Sequence, residues 1–192
     1  MKKAMLVAAL LLCAAGSLIG RAQTRDGWVT LFDGSGLGSF DVVGKGNWRI
    51  VGDTVEATEG GPSYLVTKMP YGDFDMTVEF WVDADANSGI FVRCADPTAI
   101  TDKSCYEVNI YDKRPDPTYR TGGIVHFARP MATIDAGGKW NTYEISARGP
   151  KLTVTLNGTK TVELEDKTFA RGPIALQYGA GTVRFRNVRI RQ

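Results

Sequence analysis

Histidine is nearly absent from this chain: His126 is the only one in 192 residues, and cysteine is limited to Cys13, Cys94 and Cys105. A zinc centre draws on several His and Cys side chains, so the metal reading has too few ligands. No compact run of oxygen ligands suggests a structural calcium, and no cofactor is expected. The sequence contains no Ser-His-Asp order, Gly-x-Ser-x-Gly elbow or phosphate loop. Residues 34–38, Gly-Ser-Gly-Leu-Gly, lack the strand, helix and lysine context of a phosphate cradle and read as a turn. An excess of one charge is missing as well, since 23 Lys and Arg face 21 Asp and Glu. The clustered cations that bind nucleic acid are therefore not expected. The one basic series, Arg184, Arg186, Arg189 and Arg191, reads as an exposed strand face and tail. Long apolar runs are confined to residues 4–20, which follow Lys2 and Lys3 and end among small residues.

That order is a secretory signal peptide, too short to be read as a spanning helix. Gly20-Arg21-Ala22 supplies a small-x-small cleavage signal before Gln23, and Leu12 argues against a lipid anchor on Cys13. With Lys2, Lys3 and Arg21 in the leader, 20 basic residues remain against 21 acidic. The expectation is a leader over 1–22 and one domain over 23–192, periplasmic or secreted, with no membrane attachment after cleavage. In an oxidising compartment Cys94 and Cys105 are expected to pair, closing a polar loop between two apolar runs for about 2–3 kcal/mol.

After the leader, helical periodicity gives way to alternation with period two, broken by Gly, Pro, Asn and Asp. Between Phe74 and Val82, Phe74, Met76, Val78, Phe80 and Val82 point one way while Asp75, Thr77, Glu79 and Trp81 point the other. Further strands are expected at 47–51, 54–58, 64–67, 89–93, 106–111, 123–127, 141–148, 151–156, 160–164, 173–178 and 183–191. Asn157-Gly158 marks a hairpin tip, with Leu152, Val154 and Leu156 facing inward. Strands this numerous and closely spaced predict an all-β fold, two packed antiparallel sheets.

Opposite the predicted core rows lie Glu79 and Trp81, then Phe91 and Arg93, then Glu107, Asn109 and Tyr111, which the alternation assigns to one sheet face. Carboxylates, amides, arginine and large rings together suit a sugar, whose C–H faces stack on rings and whose hydroxyls bind planar polar groups. Taken singly, each has an ordinary reading as a residue of a solvated face. The run from Glu107 to Asp112 has the spacing of the Glu-x-Asp-x-x-Glu catalytic strand of laminarinase-like glucanases. Asn109 replaces the central carboxylate, which argues against that retaining mechanism. His126 is a candidate general acid or base.

Nine segments in order carry a wider likeness. They are Leu31-Phe-Asp-Gly34, Asn47-Trp48, Tyr71-Gly-Asp-Phe74, Asn87-Ser-Gly-Ile-Phe-Val-Arg93, Tyr106-Glu-Val-Asn-Ile-Tyr-Asp112, Lys139-Trp-Asn141, Leu156-Asn-Gly158, Ile174-Ala-Leu-Gln177 and Phe185-Arg-Asn-Val-Arg-Ile190. Together they resemble the 3-keto-disaccharide hydrolase domain family. The resemblance implies a concanavalin A-like jelly roll, an exported setting, a carbohydrate substrate and cleavage of oxidised glycosides. It aligns the family's Asn-Ser-Gly-x-x-x-Arg with 87–93 and its Tyr-Glu-x-Gln-x-x-Asp with 106–112, where Asn109 stands in place of Gln. A ketone at C3 of a sugar acidifies the C2 proton, so a base can remove it and the enolate can expel the group at C1. On this basis Glu107 is the expected base, Arg93 and Asn109 serve the enolate oxygen, and Asp112 or His126 assists departure. Asn109, Tyr111, Glu79, Trp81 and Gln177 are the expected sugar contacts. A lectin-like module that binds glycans without cleaving them is the alternative.

Overall fold

The computed structural model describes residues 26–192, so the expected leader, its cleavage site and Cys13 lie outside the described residues. In chain order the strands are β1 (Val29–Phe32), β2 (Phe40–Gly44), β3 (Arg49–Val51), β4 (Thr54–Ala57), β5 (Ser63–Thr67), β6 (Phe74–Val82) and β7 (Ser88–Val92). They continue as β8 (Tyr106–Ile110), β9 (Trp140–Arg148), β10 (Lys151–Leu156), β11 (Thr159–Glu165), β12 (Ala175–Tyr178) and β13 (Val183–Arg191). One 3₁₀ turn, Pro117–Tyr119, interrupts them.

The strands form two antiparallel sheets, the sandwich expected from the alternation and the jelly roll that the family resemblance implies. The rear sheet runs β11-β10-β9-β6-β13-β4-β3, with β1 added against β13; the front sheet runs β2-β5-β12-β7-β8. Phe74, Met76, Val78 and Phe80 of β6 are buried and the residues between them are half-buried, so the strand has one wet and one dry face. The dry face joins Leu152, Val154 and Leu156 of β10 and Phe185 of β13, and packs on Leu65, Ile90, Val108 and Leu176 of the front sheet. Each such side chain, taken out of water, stabilises the fold by about 1.5–3 kcal/mol. The β10–β11 hairpin turns at Asn157 and Gly158, whose φ values of 51° and 79° are those a tight right-twisting hairpin requires.

Three differences from the sequence reading concern strands. β1 and β2 form where none is expected, and residues 123–127 form a turn. Ile124 makes single bridges to Val108 and Ala128, while Gly122 N and Val125 N donate to the carbonyls of Asn109 and Glu107. This turn closes the outer edge of β8, which would otherwise expose unpaired backbone groups. From the rear sheet, the buried Tyr143 hydroxyl accepts from Gly122 N at 2.8 Å and donates to Asn109 O at 2.7 Å.

Candidate functional site

Core packing of Ile90, Val92, Tyr106, Val108 and Ile110 sends the alternate residues of β7 and β8 outward. Register then places Gly89 opposite Asn109 and Phe91 opposite Glu107. On the other side of β7, Ala175 pairs with Phe91, and Gln177, the next outward residue of β12, pairs with Tyr64 of β5. The outer face of the front sheet therefore gathers Glu107, Asn109, Gln177, Tyr64 and Phe91 around a glycine. A Cβ at Gly89 would lie 3.2 Å from Glu107 Oε1, so the missing side chain leaves a notch beside the carboxylate.

Glu107 is only 6% exposed, and its carboxylate takes no hydrogen bond from any described residue. Burial, reinforced by the charge of Asp102 and opposed by that of Arg114, pushes its pKa up to about 7. A carboxyl tuned this way is half ionised near neutral pH, which is what a general base needs. Beside it, Asn109 Nδ2 donates to Tyr119 O at 2.6 Å, leaving Oδ1 buried without a partner. Gln177 Nε2 approaches Tyr64 Oη at 3.4 Å, and Gln177 Oε1 is likewise buried and unpartnered. Burial is the main influence that raises the Tyr64 pKa.

One wall is built by the segment between β7 and β8. Cys94 and Cys105 are bridged, as expected, and Ile100 packs with both of them against Phe91, Val66 and Ala175. The tethered loop presents Asp102, whose Oδ2 is 2.8 Å from His126 Nε2. An ionised carboxylate can only accept, so this Nε2 carries the proton, and Nδ1 is the nitrogen left for exchange with a ligand. His126 is exposed, sits in the turn beside β8 with φ of 68°, and faces the Tyr119 ring edge-on at 6.0 Å.

Several expected site residues lie elsewhere. Arg93 does not face Glu107: its φ of 54° breaks the alternation of β7 and turns the side chain to the end of the sandwich. There its buried guanidinium donates to the carbonyls of Gly72, Gly149 and Phe169 and to Asp73, which joins the two sheets. Glu79 and Trp81 are on β6, in the rear sheet, so they share no face with Glu107. Glu79 accepts from Arg186 and Asn187, and Arg184 covers the Trp81 ring at 4.6 Å. Asp112 is occupied structurally, accepting from Thr121 Oγ1 and from the N–H groups of Ala136 and Gly137. Tyr111 follows β8 half-buried, its N–H donating to Thr121 Oγ1. Alternation along the strands does not single out Asp102, Arg114, Tyr64 or Gly89. Among the described residues, no group of three His, Cys, Asp or Glu is placed to hold a metal ion.

The family model described as the 3-keto-alpha-glucoside-1,2-lyase-like domain matches residues 27–191. A candidate glycosyl hydrolase from Parabacteroides distasonis superposes with a TM-score of 0.75 at 17% identity, over 86% of this chain and 94% of that one. A second candidate glycosyl hydrolase from the same organism gives 0.72 at 24% identity, over 86% and 98%. The carbohydrate-binding module CBM66 from Bacillus subtilis gives 0.62 at 17%, over 86% and 96%. These structural likenesses bear on the fold. No curated protein matches the chain in sequence.

Proposed function

Since the chain belongs to the 3-keto-alpha-glucoside-1,2-lyase-like family, we propose that it cleaves 3-keto-glycosides by elimination, with Glu107 as the base. A carbohydrate-active jelly-roll domain follows from that membership. The observation that supports the reaction is Glu107 itself, buried, accepting no hydrogen bond from the described residues and with its pKa pushed up to about 7 beside the Gly89 notch.

Glu107 takes the C2 proton, and the electrons of the C–H bond form the C2=C3 double bond as the C3 oxygen becomes an enolate. The enolate collapses to the ketone, C1=C2 forms, and the C1–O bond to the departing group breaks. In this scheme His126, whose Nε2 lies 2.8 Å from Asp102 Oδ2, enters as the imidazolium and gives its Nδ1 proton to the leaving oxygen. Addition of water across C1=C2 then completes hydrolysis. Arg93 has no part in this scheme, because its guanidinium is engaged at the sandwich end. The disulfide favours an oxidising compartment, which supports the proposal that the protein works outside the cytosol.

The test is aglycone release from 4-nitrophenyl 3-keto-α-glucoside and glucose release from 3-keto-trehalose. Wild-type protein is expected to turn over, Glu107→Gln to lose at least about 1,000-fold, and Trp81→Ala, on the opposite sheet, to keep its rate. Binding without release by the wild type refutes the lyase and leaves a glycan-binding module.

A further inference from the structure

Three of the four tryptophans stand on the outward side of the rear sheet, each beside an arginine of β13. Trp81 and Trp140 pair in register across β6 and β9, and the guanidinium groups of Arg184 and Arg186 cover their rings at 4.6 and 3.9 Å. Those two rings are taken. Trp28, just before β1, is held by Arg191 and Arg189 at 5.0 and 5.7 Å from its ring centre, yet it still borders a hollow of about 390 Å³. That volume is within the range of small-molecule sites.

The floor of the hollow is built by register. Asp75, Ser146 and Thr153 form one cross-strand row over β6, β9 and β10, and Thr77, Glu144 and Thr155 form the next. One end is fixed, since Asp75 accepts from Ser146 Oγ at 2.8 Å, from Arg148 at 2.7 Å and from Arg191 at 2.9 Å. The half-buried hydroxyls of Thr77, Thr153 and Thr155 make no hydrogen bond to another described residue, and the exposed Glu144 carboxylate accepts none from them. Water serves these groups in the free protein, so a ligand that displaces it must bring donors and acceptors of its own. An apolar partner lacks them. Arg148 and Arg191 balance Asp75 and Glu144, which leaves no excess charge to draw an ionic ligand. A fixed ring, free hydroxyls, a planar carboxylate and no net charge together match an uncharged sugar, whose C–H faces pack on rings and whose hydroxyls both donate and accept.

We infer that this rear hollow is a second, non-catalytic glycan site, which holds an uncharged polysaccharide chain against Trp28, with its hydroxyls on Glu144 and the three threonines. The row from Arg191 through Asp75 and Ser146 to Thr153 crosses four strands. At the usual strand spacing it is about 14 Å long, room for about three linked pyranose rings. The hollow and Glu107 are on different sheets, so a chain held at the rear leaves the front site open. Such a tether keeps the protein at the polymer between turnovers. The inference does not depend on the lyase reading.

The test is affinity electrophoresis of the full chain in native gels containing barley β-glucan, glucomannan or laminarin, with alginate as the charged control and a polymer-free gel as reference. At least one uncharged polymer is expected to retard the wild type, and alginate to leave it unaffected. Trp28→Ala should weaken that retardation at least about 10-fold in apparent affinity. Thr153→Arg, which fills the floor with a long side chain, should do the same and serves if Trp28→Ala does not fold. Glu107→Gln should be retarded like the wild type. No retardation by any of the three polymers, retardation by alginate alone, retardation that survives both rear-face substitutions, or its loss in Glu107→Gln overturns the inference. So does a dimer in sedimentation that Thr153→Arg dissociates, since a second copy of the chain then covers this face.

Discussion

Replacing Glu107 by Gln should make the protein more stable as it makes it inactive, and the pH dependence of that gain tests the argument for the site. A carboxyl whose pKa rises from 4.5 to about 7 on folding holds its proton more tightly in the folded chain than in the unfolded one. Below about pH 4.5 both states are protonated and folding is unaffected. As the pH climbs from there to about 7, the unfolded chain ionises first and stability erodes. Above about pH 7 the loss is constant, at about 3 kcal/mol for a displacement of this size. Gln keeps the shape and cannot ionise. At pH 8 the variant is therefore expected to exceed the wild type by up to about 3 kcal/mol, a rise in urea midpoint of roughly 1 M or more. At pH 4 the two curves should nearly coincide. The assay is urea unfolding followed by tryptophan fluorescence at several pH values between these limits. A gain that is absent, or equal at pH 4 and pH 8, refutes the claim that Glu107 is a desolvated carboxyl.

Arg93→Met should cost on the order of 3–5 kcal/mol in thermal or urea unfolding, because it strands buried carbonyls of Gly72, Gly149 and Phe169. Whatever folded protein remains should bind methyl 3-keto-α-glucoside normally, whereas a selective loss of binding would return Arg93 to the site. Replacing Cys94 and Cys105 together by Ser should lower stability by about 2–3 kcal/mol. It should also raise KM more than it lowers kcat, since the loop that carries Asp102 is released; unaltered KM would show that this loop does not shape the site.

Much of the sandwich is legible in the chain because burial writes itself as alternation. β6 and β10 each place five or three apolar residues at every second position, and the same rhythm predicts that Glu107 and Asn109 share a side. Alternation assigns a face within a strand and is silent on which sheet the strand joins. Glu79 and Trp81 thus looked like neighbours of Glu107, although β6 and β8 belong to different sheets. β2 escaped notice because most of its residues are exposed and show no apolar rhythm. Residues 123–127 misled for the opposite reason, being apolar without being extended. Arg93 fits its strand pattern until the left-handed turn at its own backbone, a feature its residue type gives no sign of. Asp102 and Arg114 come from the disulfide-tied loop and the turn after β8, so only the assembled chain brings their charges to bear on the Glu107 carboxyl.

The Tyr143 hydroxyl, reaching through the sandwich to Asn109 and Gly122, gives the candidate site on the front sheet a foundation in the opposite layer. Its ring is stacked on Phe80 at 5.0 Å, so a change in rear packing is transmitted to the backbone of Asn109, the outward neighbour of Glu107 on β8. Variants with altered sugar preference should therefore be sought beneath that site as well as around its rim, at positions that surface scanning alone would overlook.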